Sequence, residues 1–353
     1  MNKVDSAMHS DVRSDPVPTG PTPTSAQPSA ACGQPTPRRG GRIASWVRSV
    51  ICWFDSSAKN YTEAETSRQY SVDWLRLIPY TGMHVMCLGV LWVGWSPVAV
   101  AVAAGLYAVH MFAVTAFYHR YFSHRSYKTS RFMQFVFAVV GSSCVQRGPI
   151  WWAARHRHHH RHSDEEADVH SPVRHGLYWS HFGWITSKRA YNYDVKAVPD
   201  LIKYPELRFI DRFDNLVPLL EAVALYLFGV FLASQGYSTS GWQMLIWGFF
   251  ISTIVCAHAT FTINSLTHLW GSKRYSSSDE SRNNLALALL TFGEGWHNNH
   301  HYYPGAVRQG FYWWEIDLTY YGLWIMSKLG LIWNLNRVPE TVRKSHHRGA
   351  AEA

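Results

Sequence analysis

The sequence predicts an all-α integral membrane protein, with four transmembrane helices in two hairpins and a cytosolic helical cap that holds a His-rich dimetal site. Three observations support this prediction. Four apolar runs are each long enough to cross a membrane. The connections within each pair of runs carry no charged residue, and histidines cluster just beyond the ends of the runs.

The four apolar runs come in two pairs. The first pair, 79–95 and 97–117, contains no Lys, Arg, Asp or Glu. The second pair, 216–233 and 242–263, contains one acidic residue, Glu221. Because about 20 apolar residues are needed to cross the ~30 Å hydrocarbon core of a bilayer, each run predicts one transmembrane helix.

Charge placement predicts the orientation in the membrane. Lys and Arg crowd the N-terminal tail and the segments 118–215 and 264–353, whereas the connection 234–241 has no charge. Positively charged segments stay on the cytoplasmic side, so we expect the cap and both termini to be cytoplasmic. In a bacterium, this multi-pass protein would lie in the inner membrane.

The segments that flank the membrane domain, 70–340, differ from it in composition. Seven of the sixteen prolines fall within residues 1–41, which predicts a disordered Pro/Ser/Thr-rich tail. Apolar side chains recur at helical spacing in 42–56, which predicts an amphipathic helix in the membrane interface, with a helix packed on a soluble core as the alternative. Residues 341–353 form a basic C-terminal tail.

Composition excludes several classes of protein. The 353 residues are 47% hydrophobic and 15% aromatic, too apolar for a disordered chain. The five cysteines form no C-x-x-C pair, which argues against a disulfide scaffold and against a Cys-type zinc finger. The mean hydropathy of −0.16 averages two very different kinds of segment, so it does not indicate a soluble protein.

Histidine is the most distinctive residue, with 20 copies, and its placement predicts a metal site. On a helix, residues at i, i+3 and i+4 share one face, so the histidines of 156–160 and of 297–301 can each converge on a metal. Nine imidazoles suit two ions of four to five ligands each, with positions left for water or dioxygen. The nine candidate ligands are His119, His124, His156, His159, His160, His268, His297, His300 and His301.

Other histidines have simpler interpretations. His84, His110 and His258 lie within predicted spans, where a packing role is at least as common as a chemical one. The spacing of His158 and His162 does not match the ligand sets. His170, His175 and His181 have either a structural role or a role in supporting the ligands, and the pair His346-His347 is a solvated feature of the tail.

Five motifs resemble those of the membrane-bound fatty acid desaturases, specifically the acyl-CoA delta-9 (stearoyl-CoA type) branch. They are H-R-Y-F-S-H at 119–124, W-W-A-A-R-H-R-H-H-H-R-H-S-D at 151–164, S-H-F-G-W at 180–184, N-S-L-T-H-L-W-G at 264–271 and G-E-G-W-H-N-N-H-H-Y-Y-P at 293–304. The stretch R-Q-G-F-Y-W-W-E-I-D at 308–317 is similar to bacterial members. The resemblance covers about residues 70–340.

The resemblance implies a di-iron centre in a cytosolic cap above a stem of four spans. By position, it carries the metal-ligand role onto the nine histidines named above, and Asn264 is expected to act through a bound water. It also implies an O2-dependent reaction that removes hydrogens from two adjacent methylenes of a saturated acyl chain and leaves a cis double bond and two waters.

The resemblance also implies how the substrate is held. The animal members carry an Arg-Asp pair before the second His motif that helps to bind coenzyme A, whereas this chain has Ala154-Arg155. An acyl-CoA is still expected from the resemblance, but this departure weakens that expectation and leaves an acyl carrier protein thioester or a lipid-esterified chain open. Lys188 and Arg189 fit the position of phosphate contacts, with ordinary positive-inside charge as the alternative.

Aromatic residues and the second span are expected to shape the acyl tunnel. Candidate wall residues are Trp151, Trp152 and Trp184, although Trp is also common at membrane boundaries. In the resembling family, residues 12 and 16 positions before the first His motif close the tunnel, and here these are Tyr107 and Ala103. The bulk of Tyr107 predicts a preference for sixteen-carbon chains.

The predicted function is thus an acyl-CoA delta-9 desaturase that uses two iron ions and O2. The chain has no haem-binding H-P-G-G motif, so a separate donor is expected, such as a ferredoxin or a cytochrome-b-type protein with its NAD(P)H reductase. The other expected partners are a fatty acyl thioester and membrane lipids, and no nucleic acid. The alternatives are a His-motif di-iron hydroxylase or alkane monooxygenase and, outside enzymes, a metal transporter or a His-rich metal-binding protein.

Overall fold

The computed structural model describes residues 50–51, 53–58 and 70–345, and within them the regular structure is mostly helical. The main helices are α1 (Trp74–Val93), α2 (Pro97–Ser123), α3 (Arg131–Ser142), α4 (Pro149–His162), α5 (Pro205–Arg212), α6 (Leu216–Ser234), α7 (Gly241–His268), α8 (Leu285–Leu290), α9 (His297–Tyr302) and α10 (Leu318–Lys328).

Short elements complete the described chain. Single helical turns lie at Ser56–Ala58, Pro172–His175, Leu177–His181, Gly183–Thr186, Lys188–Tyr191, Val195–Ala197, Pro199–Ile202 and Glu340–Arg343. The strands β1 (Lys128–Thr129) and β2 (Ile332–Trp333) form an antiparallel pair with Lys128 opposite Trp333.

Four helices, α1, α2, α6 and α7, are long and apolar enough to cross a membrane, which confirms the predicted number of spans. Helix α1 starts at Trp74, five residues before the predicted span. The side chain of Asp73 accepts a hydrogen bond from the amide of Leu75 at 3.2 Å and pairs with Arg76 at 3.1 Å, so the helix can begin among charged residues.

Helices α2 and α7 run past the ends of the predicted spans and carry ligands at their far ends. Helix α2 reaches Ser123, so it includes His119, and α7 ends at His268. Each contains a π-helical segment, Ala113–Ser123 in α2 and Met244–Ile251 in α7. The wider turn changes which side chains share a face, and such turns are frequent at functional sites.

The core that positions the site lies between α2, α3 and α4. Phe117 of α2 stacks on Phe137 of α3 with ring centroids 4.0 Å apart. Arg120 is buried, and its guanidinium donates to Glu294 and Asp317 at 3.0 Å and to the carbonyl of Val307 at 2.8 Å. This buried network ties the end of α2 to the C-terminal segments that surround α9.

Several predictions fall partly or wholly outside the described residues. The tail 1–41, residues 42–49 of the predicted interfacial helix and the pair His346-His347 all lie outside them. Within the described part of that helix, Ile51 and Phe54 are exposed and helical, and the indole of Trp53 donates to the carbonyl of Leu75 at 3.2 Å.

Candidate metal centre

The structure places all nine candidate ligands in two adjoining clusters. Within each cluster, the candidate ligand atoms lie within 4.8 Å of one another. The five-histidine cluster contains His119, His124, His156, His160 and His300, and the four-histidine cluster contains His159, His268, His297 and His301.

Helices α4 and α9 each contribute to both clusters. The pair at i and i+4 on α4, His156 and His160, enters the five-histidine cluster, while His159 enters the other. On α9 the pair His297 and His301 enters the four-histidine cluster, and His300 crosses to the first. The sequence predicts that each triplet shares a face, and the structure divides each triplet between two neighbouring sites.

Pairs of ring nitrogens face each other at short range in the five-histidine cluster. The Nε2 atoms of His124 and His156 are 2.8 Å apart, and the Nε2 atoms of His160 and His300 are 2.9 Å apart. In the four-histidine cluster, the Nε2 atoms of His268 and His297 are 3.1 Å apart. Metal–nitrogen bonds of about 2.1 Å that meet at right angles set two ligand nitrogens about 3 Å apart.

Carboxylates hold the outer nitrogens of four ligands. Asp168 accepts from Nδ1 of His159 at 3.0 Å, and Asp164 accepts from Nδ1 of His268 at 2.9 Å. Asp279 contacts Nδ1 of His301, and Glu294 contacts Nδ1 of His119. A proton fixed on Nδ1 leaves Nε2 with a bare lone pair aimed into the cluster, which is the tautomer that binds a metal.

The electrostatics keep most ligands neutral. Burial, followed by the neighbouring imidazoles, holds the pKa of His124, His156 and His160 well below the usual range. Burial lowers the pKa of His301 to about 4, although Asp279 opposes this shift. At His159, burial acts to lower the pKa, but the carboxylates of Asp168, Asp164 and Asp279 together outweigh it and raise the pKa.

The residues fit a pair of soft-to-borderline cations. Nε2 of His301 is buried and has no hydrogen-bond partner among the described residues, although its Nδ1 is held by Asp279. The bare lone pairs that face one another would repel without a cation between them. Imidazole-rich sites without thiolate suit iron, copper or zinc, so the donor set accommodates iron.

Two apolar pockets adjoin the clusters and share several walls. Trp152, His156, Thr260 and Asn264 line both pockets. One pocket continues to Trp151, Arg155 and Trp184, and the other continues along α2 through Met111, Thr115 and His119. A chain that occupied both would pass beside His156 and His297.

The predicted tunnel residues take different positions. Trp152 lines both pockets and stacks on His156 with centroids 5.0 Å apart, and Trp151 stacks on Trp184 at 6.2 Å. Tyr107 and Ala103 lie nearer the N-terminus of α2 than the pocket-lining residues do. Tyr107 packs against the cluster that contains Met111, which is the pocket-lining residue of α2 farthest from His119. The hydroxyl of Tyr107 donates to the carbonyl of Leu290 at 2.6 Å.

The predicted phosphate contacts lie beside the pockets. Lys188 and Arg189 begin the turn Lys188–Tyr191 and are not among the lining residues. Arg155 does line a pocket, and its guanidinium donates to the carbonyl of Arg189. Burial, together with Arg189 and Arg147, lowers the pKa of Arg155 to about 9.

Sequence reasoning missed most of the residues that hold the ligands. Asp164 and Glu294 stand inside quoted motifs, so their proximity to the histidines along the chain was the available signal. Asp168 and Asp279 are separated by loops from the histidines that they contact, His159 and His301, so the sequence gave no signal for these two contacts. Gln309 donates to Glu294 at 3.0 Å and lies 3.2 Å from Nδ1 of His119, a contact made across 190 residues.

Several known proteins are similar in sequence to this chain over most of its length. An acyl-CoA 5-desaturase of Anemone leveillei is 35% identical over 78% of this chain and 82% of its own. An sn-1 stearoyl-lipid 9-desaturase of Synechocystis is 35% identical over 76% of this chain and 81% of its own. A hex-5-enoyl-[acyl-carrier protein] acetylenase of Moorena producens is 32% identical over 80% and 94%.

A family profile agrees with these relatives. Residues 93–335, well over half of the chain, match the profile described as fatty acid desaturase. This segment contains all nine clustered histidines and the shared walls of the two pockets. The chain therefore belongs to the fatty acid desaturase family.

Proposed function

We propose that the protein is an O2-dependent acyl desaturase that introduces a cis double bond at the delta-9 position of a saturated acyl thioester. One observation carries the proposal: two apolar pockets with shared walls lie directly beside both histidine clusters. The reaction converts a –CH2–CH2– unit, O2, two electrons and two protons into a –CH=CH– unit and two waters.

The protein's own residues hold the metals and orient the substrate. The nine histidines would hold two iron ions, which supply the oxidising power for C–H cleavage when O2 and electrons are present. Asp164, Asp168, Asp279 and Glu294 fix the imidazole tautomers. Asn264, which lines the same pocket as His156 and His297, would hold a water beside the metals.

Positioning determines which methylenes react, because saturated carbons offer no polar group to recognise. The amide of Gln146 donates to the hydroxyl of Thr260 at 3.1 Å, and Thr260 lines both pockets together with Trp152 and His156. This hydrogen bond holds part of the shared wall in place. The delta-9 position is proposed on the strength of the resemblance to that branch.

Tyr107 is proposed to set chain length. Met111, Thr115 and His119 recur at every fourth residue of α2 along the pocket, and Tyr107 is the next residue in that series. Each methylene that finds no room forfeits about 0.8 kcal/mol of burial, roughly fourfold in selectivity. Tyr107→Ala should therefore shift the product ratio from sixteen- toward eighteen-carbon chains.

Gas chromatography of the products would measure this ratio, with Tyr107→Phe as the matched control. Phenylalanine removes the hydroxyl that contacts Leu290 but retains the ring, so it should leave the sixteen-carbon preference nearly intact. An unchanged ratio in Tyr107→Ala would show that another residue ends the tunnel.

The acyl carrier is proposed to be a phosphate-bearing thioester, with coenzyme A preferred. Arg155 is a pocket-lining cation whose pKa is shifted by burial and by two other arginines, Arg147 and Arg189, and by no carboxylate. A guanidinium in such surroundings favours an anionic or carbonyl-bearing head group. Lys188 and Arg189 stand beside it as further phosphate contacts, and electrons would come from a separate ferredoxin or cytochrome-b-type donor.

The experiment supplies the membrane-inserted, iron-loaded protein with a donor system, O2 and one of three substrates: palmitoyl-CoA, palmitoyl-acyl carrier protein or palmitoyl-lipid vesicles. We expect two irons per chain and a cis-9 product from the CoA thioester. His300→Ala should insert normally and form no product. A hydroxylated product would identify a monooxygenase, and no product from an iron-loaded preparation with any substrate would refute a desaturase.

A further inference from the structure

Three histidines outside the two clusters form an unbroken hydrogen-bonded chain. Nε2 of His84, on α1, lies 3.0 Å from Nε2 of His258, on α7. The other nitrogen of His258, Nδ1, lies 3.0 Å from Nε2 of His181, at the end of the turn Leu177–His181. His258 contacts His84 through Nε2 and His181 through Nδ1, so the three rings lie in a row and do not surround one point.

Both ends of the row meet oxygen atoms. Nδ1 of His84 donates to the carbonyl oxygen of Tyr80 at 2.9 Å. Nδ1 of His181 lies 3.0 Å from the hydroxyl of Ser265, which in turn can donate to the carbonyl oxygen of Phe261 at 2.9 Å. The Ser265 hydroxyl has one proton, so it can donate to only one of these two neighbours at a time.

A count of protons shows what the row can do. If Ser265 donates to His181, the two ring-to-ring contacts and the contact with Tyr80 need one proton each, and three neutral imidazoles supply three. If Ser265 donates to Phe261, the contact with His181 needs a fourth proton. The row can therefore gain or lose one proton while a single hydroxyl rotates and no heavy atom moves.

The surroundings of the row hold such a proton weakly. The titratable side chains that face it are Tyr80 from α1 and Tyr178 from the turn that carries His181, and Phe182 and Phe261 add aromatic walls. Among the described residues, no carboxylate, Lys or Arg forms a hydrogen bond or ion pair with the three rings. Burial lowers the pKa of His181, so a proton there is easily given up.

The Ser265 end of the row adjoins the reaction cavity. Ser265 directly follows Asn264, which lines both pockets, and Phe261 contacts the His181 ring at 5.9 Å while lining a pocket itself. Given the proposed desaturation, each turnover consumes two protons in a cavity with apolar walls. We infer that His84, His258 and His181 form a proton-loading site that supplies one of these protons past Ser265 and Asn264.

The first test counts protons and needs neither substrate nor activity. Potentiometric titration of the protein in lipid nanodiscs between pH 5 and 8 is compared for the wild type, His258→Gln and the double variant His84→Gln/His258→Gln. A shared site predicts that the single variant binds one proton fewer than the wild type and that the double variant loses no more. Losses of one and then two protons, or no loss, overturn the inference.

The second test separates proton supply from structural damage. In His258→Gln, kcat should fall about tenfold, less than the ~10²–10⁴ of a group that acts directly on the substrate, with KM for the acyl substrate unchanged. Wild-type kcat should decline as pH rises and the row loses its proton, whereas the variant should be lower and flat. An equal loss at every pH, or a raised KM, indicates a packing role and refutes proton supply.

Controls keep this inference distinct from the proposed function. His162→Gln removes a partly exposed histidine that pairs with Glu165 and should retain the wild-type kcat and pH profile. If the wild type and His162→Gln form no product, the proposed function fails, yet the proton count still decides the shared site. If His258→Gln does not accumulate, His84→Gln and His84→Gln/His181→Gln make the same comparison.

Discussion

At the scale of single residues, the carboxylates around the imidazoles determine whether a metal can bind. Asp279 accepts from the backbone amide of Ser281 at 3.0 Å and contacts Nδ1 of His301. In Asp279→Asn, the amide oxygen can keep the Ser281 contact, which turns the NH2 group toward the imidazole. The His301 proton would then move to Nε2, the nitrogen that faces the four-histidine cluster, and block it as a ligand.

We therefore expect Asp279→Asn to lower the metal content from about two ions per chain toward one, because losses of such partners cost about 10–100-fold in affinity. Mass spectrometry of the purified, iron-supplemented protein measures the content. Glu280→Gln is the control, since that neighbouring carboxylate pairs with Lys273 and Arg282 and contacts no ligand histidine. Full loading of Asp279→Asn would show that the tautomer of His301 is fixed by other contacts.

At the scale of elements, helix α4 depends on a side chain from α5 to begin. Oδ1 of Asp211 accepts from the backbone amides of Ile150 and Trp151 at 2.9 and 2.8 Å, and the hydroxyl of Tyr193 donates to Oδ2 at 3.1 Å. Asp211→Ala leaves those amides unpaired at the start of the helix that carries the second His motif. We expect a loss of about 1–2 kcal/mol in stability.

The same carboxylate gives stability a defined pH dependence. Burial raises the pKa of Asp211 to about 6, above the ordinary 3.8. The folded protein therefore binds this proton more tightly than the unfolded chain, so its contribution to stability grows as pH falls from about 6 toward 4. As the pH is lowered from 7 to 5, the melting temperature of the wild type should rise relative to that of Asp211→Asn. A constant difference between the two melts across that range would contradict the raised pKa.

At the scale of the whole molecule, four candidate spans would place the segment between α2 and α6 on the same side as the segment after α7. We expect the α6–α7 connection on the opposite side. Ser238 is exposed in that connection, and Lys196 is exposed between α2 and α6. A membrane-impermeant maleimide should label Ser238→Cys in sealed right-side-out vesicles and Lys196→Cys only after permeabilisation.

The wild-type chain gives the labelling background. Among the cysteines that the structure describes, Cys144 and Cys256 are buried and Cys87 is partly buried. Labelling of both new cysteines without permeabilisation would contradict the single span, α6, that is expected between them.

The sequence predicted the number of spans because hydropathy and length decide insertion locally, within each run. It also identified the nine histidines now found in the clusters, since motif spacing marks helix faces. The division of His156, His159 and His160 between clusters was not predictable, because it depends on the position of α9 across the chain. The same holds for Asp279, whose loop approaches His301 only after folding.

The row of His84, His258 and His181 shows a different limit of sequence reasoning. His181 alone suggested a structural role or a role in supporting the ligands, and His84 and His258 lie in spans, where a packing role is at least as common as a chemical one. Their side chains come into contact only because α1, α7 and the turn Leu177–His181 lie next to one another in the folded chain. No spacing along the chain encodes such a meeting of three elements.

The division of α4 and α9 between the two clusters has a mechanical consequence. One turn of α4 carries His156 and His160 into one cluster and His159 into the other, so a single helix couples the two clusters mechanically. A tilt of α4 and α9 would move both clusters together. If each cluster held one iron ion, as proposed, the separation of the two ions would change little when the surrounding bilayer bends.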